Sequence, residues 1–148
     1  MTTWSNQIVL LTLREIYAIY CRLLKVKGVN KELSGHPGEF FNFYSIWKKS
    51  IVFEIPSGYI RIEPYPSLKS ATVHGIFFNN PFKDIKLIKN MLYLYLEETK
   101  YIDFLECKVK KIHKGVHKLL SKMDLENYET SNEIIYIIRR IKNESRWL

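Results

Sequence analysis

Glycine is scarce in this chain: six among 148 residues, with none between Gly75 and Gly115. That excludes a glycine-rich phosphate loop across the middle of the sequence, because such loops use glycine to bring the backbone up to the ligand. Cysteine is scarcer still. Cys21 and Cys107 stand far apart, with no CxxC and no cluster with histidine. This excludes a disulfide framework and predicts two buried thiols. No hydrophobic run can cross a bilayer, because Arg14, Arg22 and Lys25 interrupt the best candidate. The opening MTTWSNQ lacks the basic start and apolar run of a secretory leader. The expectation is a soluble, cytoplasmic protein with no membrane partner. Acidic residues are outnumbered, 15 against 23 basic, giving a net charge of +8 and a pI near 9.4. That balance points to an anionic partner: nucleic acid, a phosphorylated cofactor or an acidic protein.

What is present is an ordinary globular balance, 47% hydrophobic and 26% charged, in a length that fits one domain spanning 1–148. In IVLLTLREIYAIYCRLLK a short apolar run, read as a strand, precedes a helix. Thr12 and Glu15 have capping-box spacing and predict a start near Leu13, with Ile16, Ile19, Tyr20, Leu23 and Leu24 on one face. GHPG, 35–38, reads as loop punctuation. EFFNFYSIWKKS is ambiguous between strand and helix and is read as helix. IVFEIPSGYIRIEPYP reads as a hairpin around Ser57-Gly58. In LKSATVHGIFF, Val73, Gly75 and Phe77 face one way and Thr72, His74, Ile76 and Phe78 the other. A helix from about Ile85 to Thr99 buries Ile85, Ile88, Leu92 and Tyr95, with Lys86, Lys89, Asn90 and Tyr93 wet. YIDFLECKV is a further strand. KGVHKLLSKM is a helix with Val116, Leu119, Leu120 and Met123 inward. NEIIYIIRRIK fits an amphipathic helix or a buried strand, and its isoleucine run decides for strand. The order predicts a mixed α/β sheet with helices on both faces.

The stretch Ala71–Asn90 is a strand, a polar loop and a helix, and such junctions hold phosphate on free helical N–H groups. His113 and His117 share helical spacing, but no third ligand lies near, so a solvated basic face is favoured and no metal site is expected. The aromatic run Phe40, Phe41, Phe43, Tyr44 and Trp47 reads first as core packing, with an acceptor cleft or base stacking as alternatives.

This order, and the segments SATVHGIFF, YIDFLECKV and HKGVHKLLSKMDL in particular, resemble the GNAT superfamily of acetyl-CoA-dependent N-acetyltransferases. The His in its A-x-V-H-G-x-F context is also similar to acetyltransferase-like proteins of bacteriophages, for which the host cytoplasm would be the location. The resemblance covers about Leu10–Ile141. It implies acetyl transfer from acetyl-CoA to an amine of a small molecule or a protein lysine. It also implies backbone contacts to the donor around Phe77 and Phe78, a pyrophosphate over Asn79, Asn80, Phe82, Lys83, Asp84, Ile85 and Lys86, and His113 in place of a cofactor-contacting Asn. The family's glycine-bearing loop is here NNPFKD, in which Phe82 and Asp84 crowd the anion, Asp84 suits a helix cap, and Lys83 and Lys86 restore positive charge. Leu120 replaces a Tyr that acts as general acid. His74 is the candidate base, with a hydrogen-bonded core histidine as its plainer reading. Glu54 and Glu63 are alternative bases. Tyr93 and Tyr95 are expected to pack. The alternatives are a GNAT-fold protein that has lost catalysis and serves binding or assembly, and a basic nucleic-acid-binding domain.

Overall fold

The computed structural model describes residues 11–25 and 37–140. Helix α1 (Leu13–Leu24) begins where the capping box puts it. Thr12 N–H donates to Glu15 Oε1 (2.9 Å), and Glu15 N–H donates back to Thr12 Oγ1 (3.2 Å). Its apolar face buries Ile16, Tyr20 and Leu23, with Ile19 and Leu24 packed beside them. The strand expected ahead of it, in the run 8–11, lies outside the described residues except for Leu11, which is not in a strand. Helix α2 (Pro37–Trp47) takes in Pro37 and Gly38, read from sequence as loop. Proline is well suited to a first helical turn, where its missing N–H costs nothing.

A six-stranded sheet follows: β1 (Ile51–Ile55), β2 (Gly58–Tyr65), β3 (Ser70–Phe77), β4 (Phe104–Lys110), β5 (Glu126–Glu129) and β6 (Glu133–Arg139), in spatial order β1-β2-β3-β4-β6-β5. The first three form an antiparallel meander. Pro64 sits in β2 past the last β1 pair, Ile51↔Ile62, so its absent N–H interrupts no ladder. Strand β4 runs parallel to β3 and antiparallel to β6. Strand β5 had no sequence signal, because all four of its residues are exposed and only pairing to β6 makes it a strand.

Helices α3 (Ile85–Glu98) and α4 (Lys114–Ser121) cover one face of the sheet. There Ile60, Ile62, Val73 and Leu105 meet Ile88, Leu92, Leu120 and Met123. On the other face α1 and α2 pack Tyr20, Phe43 and Trp47 over Tyr59, Ile76 and Phe78. The aromatic run is therefore packing, stitched by the Phe43–Trp47 stack at 4.6 Å, except for Phe41, which is exposed. Arg140 closes the C-terminus of α3: its guanidinium donates to the carbonyls of Leu96, Thr99 and Ile102.

Lys69 joins a 3-10 turn (Pro66–Leu68) to β3 with φ +53°, in the left-handed region. An L side chain there costs about 1–2 kcal/mol, of which the extra freedom of unfolded glycine would return about half. Lys69→Gly is expected to raise the melting temperature by about 2–4 °C. Thermal unfolding followed by circular dichroism checks this, and a lower melting point would contradict it.

Candidate functional site

Strands β3 and β4 pair over only three positions, Ser70↔Phe104, Ala71↔Leu105 and Thr72↔Glu106. Beyond them β3 stays with β2 as far as Phe77, while β4 follows β6 as far as Lys110. The two parallel strands splay at their C-terminal ends. Antiparallel pairing alternates the direction of backbone groups. Phe78 N–H donates to Ser57 C=O on the β2 side (3.0 Å). The N–H and C=O of Gly75 and Phe77 therefore point the other way, into the gap. Of the two donors implied by the resemblance, Phe77 is the one turned to the gap. The Phe78 amide is spent on Ser57, and the Asn79 amide shares the same acceptor at 3.2 Å.

The junction after β3 is a 3-10 turn, Pro81–Asp84, running directly into α3. Its amide donors are depleted. Pro81 has none, and Phe82 N–H is held by Asn80 Oδ1 at 3.0 Å. Asp84 holds the N-cap position of α3, but its carboxylate makes no cap bond, contrary to the sequence expectation. It is buried and accepts from Ser57 N–H in the β1–β2 turn at 3.1 Å. The reason is competition: the 3-10 turn swings the side chain inward, toward a buried amide that has no water to turn to. Its charge is thereby withdrawn from the mouth of the loop. Asn79, Asn80, Lys83 and Lys86 are exposed there, while Phe82 and Ile85 are half-buried. His113 lies just past the C-terminal end of β4, exposed, at the same end of the sheet.

His74 is on the opposite face of β3 from Val73 and Phe77, directly across from Arg61. Its ring is exposed and has no hydrogen bond among the described residues, which removes the reading of a bonded core histidine. Desolvation by the surrounding protein, and then the Arg61 guanidinium, lower its pKa below the usual 6.5; Glu63 opposes them. His74 is thus held neutral at neutral pH. Arg61 is buried, donates to Ser50 Oγ (2.9 Å) and lies 3.7 Å from Glu63. Glu63 also accepts from Tyr65 Oη (2.8 Å), so it is committed to its neighbours. Glu54 is exposed near Arg22, on β1, two strands away from β3.

His117 corrects the picture of a solvated basic face. It is half-buried, and both ring nitrogens are bonded: Nε2 to Lys110 C=O and Nδ1 to Tyr136 Oη, each at 2.8 Å. A carbonyl only accepts, so Nε2 carries a proton, and in the neutral ring Tyr136 O–H donates to Nδ1. Among the described residues no group of three His, Cys, Asp or Glu is placed to hold a metal. Cys21 and Cys107 are free and half-buried rather than buried. Tyr95 packs in the core, where desolvation pushes its pKa up to about 12, and Tyr93 packs beside it. Leu120 is buried and offers no proton.

Sequence reasoning missed Ser57, Arg61, Gly75 and Tyr136. Only Gly75 carried a signal, an isolated glycine inside a strand, which marks close approach. An added Cβ there would meet the Phe77 ring at 2.8 Å, so that ring folds back over the glycine.

No protein-family model matches the sequence, and no curated protein matches it. Solved structures do match in fold. The chain is similar to AAC(6')-Ib, determined in complex with acetyl-CoA, with TM-score 0.64 and 11% identity over 89% of this chain and 92% of that one. It is similar to a GNAT-family acetyltransferase from Bacillus anthracis (TM-score 0.60, 10% identity, 88% and 92% covered). A third is the N-acetyltransferase PseH of Campylobacter jejuni (0.58, 16% identity, 88% and 93%). The chain has the GNAT acetyltransferase fold. Among the described residues no helix is long and apolar enough to cross a membrane.

Proposed function

We propose that this chain is one GNAT-like domain that transfers an acyl group from a coenzyme A thioester to an amine. The observation that carries the reading is the splayed β3–β4 pair, whose unpaired Gly75 and Phe77 backbone groups face the gap. The residues present fit such a donor. The gap offers a strand edge to a polar, extended arm, and Lys83 and Lys86 stand exposed at the α3 entrance for its phosphates. The thioester would supply the activated acyl carbon. Phe77 N–H faces the position of a carbonyl oxygen bound in the gap and would stabilise charge developing there. His74, held neutral, would take the proton of the attacking amine, whose nitrogen bonds to the acyl carbon as the carbon–sulfur bond breaks. With Leu120 unable to donate, the leaving thiolate takes its proton from water.

Calorimetric titration with acetyl-CoA and with CoA tests the donor half. Because the loop has lost backbone donors, charge must hold the phosphates, so Lys83→Glu should weaken binding by roughly 1–3 kcal/mol, and added salt should weaken it further. Unchanged affinity in that variant would remove Lys83 from the site. The second reading, a fold that keeps binding or assembly but has lost catalysis, is favoured by the Phe77 ring lying over Gly75 and by the spent amides of Phe78, Asn79 and Phe82. Donor binding with no acetylation across an amine panel supports it over the first.

A further inference from the structure

From the β3–β4 gap a partly open pocket of about 70 Å³ leads toward α3 and α4. It is lined by Val73, Gly75 and Phe77 of β3, by Cys107 of β4, and by Leu120 and Met123. Every one of these side chains is apolar except the Cys107 thiol, whose pKa desolvation pushes up to about 11. The pocket therefore has nothing to offer water, and it lies beside the two backbone amides that face the gap. A small hydrophobic group attached to a carbonyl held at Phe77 N–H would lie at its entrance. At roughly 25–30 Å³ for each packed carbon group, the volume holds about two to three such groups. The single methyl of an acetyl group would leave most of it empty, and empty space among packed side chains is costly.

We propose that the donor used by this site carries a butyryl-sized acyl chain, with about three carbons beyond the carbonyl, lodged in this pocket. This rests on the thioester reading above and specifies its substrate class. Phe77 then has two jobs. Its amide meets the carbonyl, and its ring, resting on Gly75 where any Cβ would collide with it, forms the pocket wall. Val116 of α4, half-exposed, lines the same pocket and sets how much of it is open.

The test is the affinity of the unmodified protein for acetyl-, butyryl-, hexanoyl- and decanoyl-CoA by calorimetry, with no turnover needed. Each buried methylene is worth about fourfold, from about 0.8 kcal/mol. Butyryl-CoA, with two more methylenes, should bind about fifteenfold tighter than acetyl-CoA, and hexanoyl- and decanoyl-CoA should gain nothing further. Val116→Phe should flatten the series. Equal affinity along the series, or acetyl-CoA binding tightest, overturns the chain-length proposal and leaves the thioester reading standing. Binding of none of the four removes both. If the variant does not fold, the series on the unmodified protein still decides.

Discussion

Turnover per folded molecule should fall roughly 10²–10⁴-fold in His74→Gln, the usual worth of a general base. The expectation starts from the position of the ring. It is exposed on β3, beside the stretch whose backbone faces the gap, and it lacks a hydrogen-bond partner among the described residues. Removing it should therefore cost less than about 0.5 kcal/mol of stability, as for other exposed positions. A residue kept for structure would give the reverse pair of results: a lowered melting temperature and unchanged turnover. The pH dependence separates the roles further. Desolvation and Arg61 hold the His74 pKa below 6.5, so the base is deprotonated by neutral pH, and its limb of the rate profile lies on the acid side of 6.5. Above that, a continued rise belongs to the acceptor amine. His74→Gln should abolish the lower limb and keep the upper one. The same shift bears on stability. Below 6.5 the unfolded chain takes up the proton before the folded one does, so acidification through the window between the lowered pKa and 6.5 weakens the fold slightly. If turnover and its acid limb survive the substitution, His74 is not the base.

Gly58→Ala should be the most damaging single-atom change in the described structure. Gly58 opens β2 with φ +157°, and an added Cβ would sit 2.0 Å from Ile76 O and 2.9 Å from Phe77 Cα. Both obstacles are backbone and cannot rotate away. Relief requires β2 and β3 to part, next to the turn whose Ser57 binds Phe78, Asn79 and Asp84. The expected cost is about 3 kcal/mol or more, a large share of a domain's usual 5–15. Gly115→Ala is the control: nothing lies within 4 Å of its Cβ, and it is in helix α4, so it should be neutral or stabilise by up to about 1 kcal/mol. Denaturant unfolding of both variants checks the pair. A Gly58→Ala midpoint close to that of the parent would mean the turn is looser than described.

The features legible in the sequence were those encoded over a few neighbouring residues. Thr12 and Glu15 announced α1, the alternation in β3 sorted its faces, and the isoleucines of β6 outweighed a helical reading. What stayed hidden depends on partners distant in the chain. Strand β5 has no apolar side to reveal it. Asp84 looks like a cap until Ser57, 27 residues earlier, supplies a buried amide. The i, i+4 spacing of His113 and His117 suggests one wet face, yet His117 turns to Tyr136, 19 residues on. Arg61 opposite His74 follows from the β2–β3 register, which composition cannot fix. The location of the candidate site came from what the family resemblance implies. Which of its donors are already spent was not legible.

The spatial order of the strands also constrains how the chain is made. During synthesis α1, α2, the meander and α3 emerge before β4, whose outer edge belongs to β6 and not to the strand next made, β5. Until Ile135–Ile138 leave the ribosome, β4 presents a bare strand edge beside an unfinished apolar layer, a template for pairing with another nascent chain. Arg140, the residue just past β6, then ties the finished sheet back to the end of α3. The β4 side of the sheet must therefore wait for β6, the last of the six described strands, to be translated, and the yield in cells should depend on how well chaperones shield that interval.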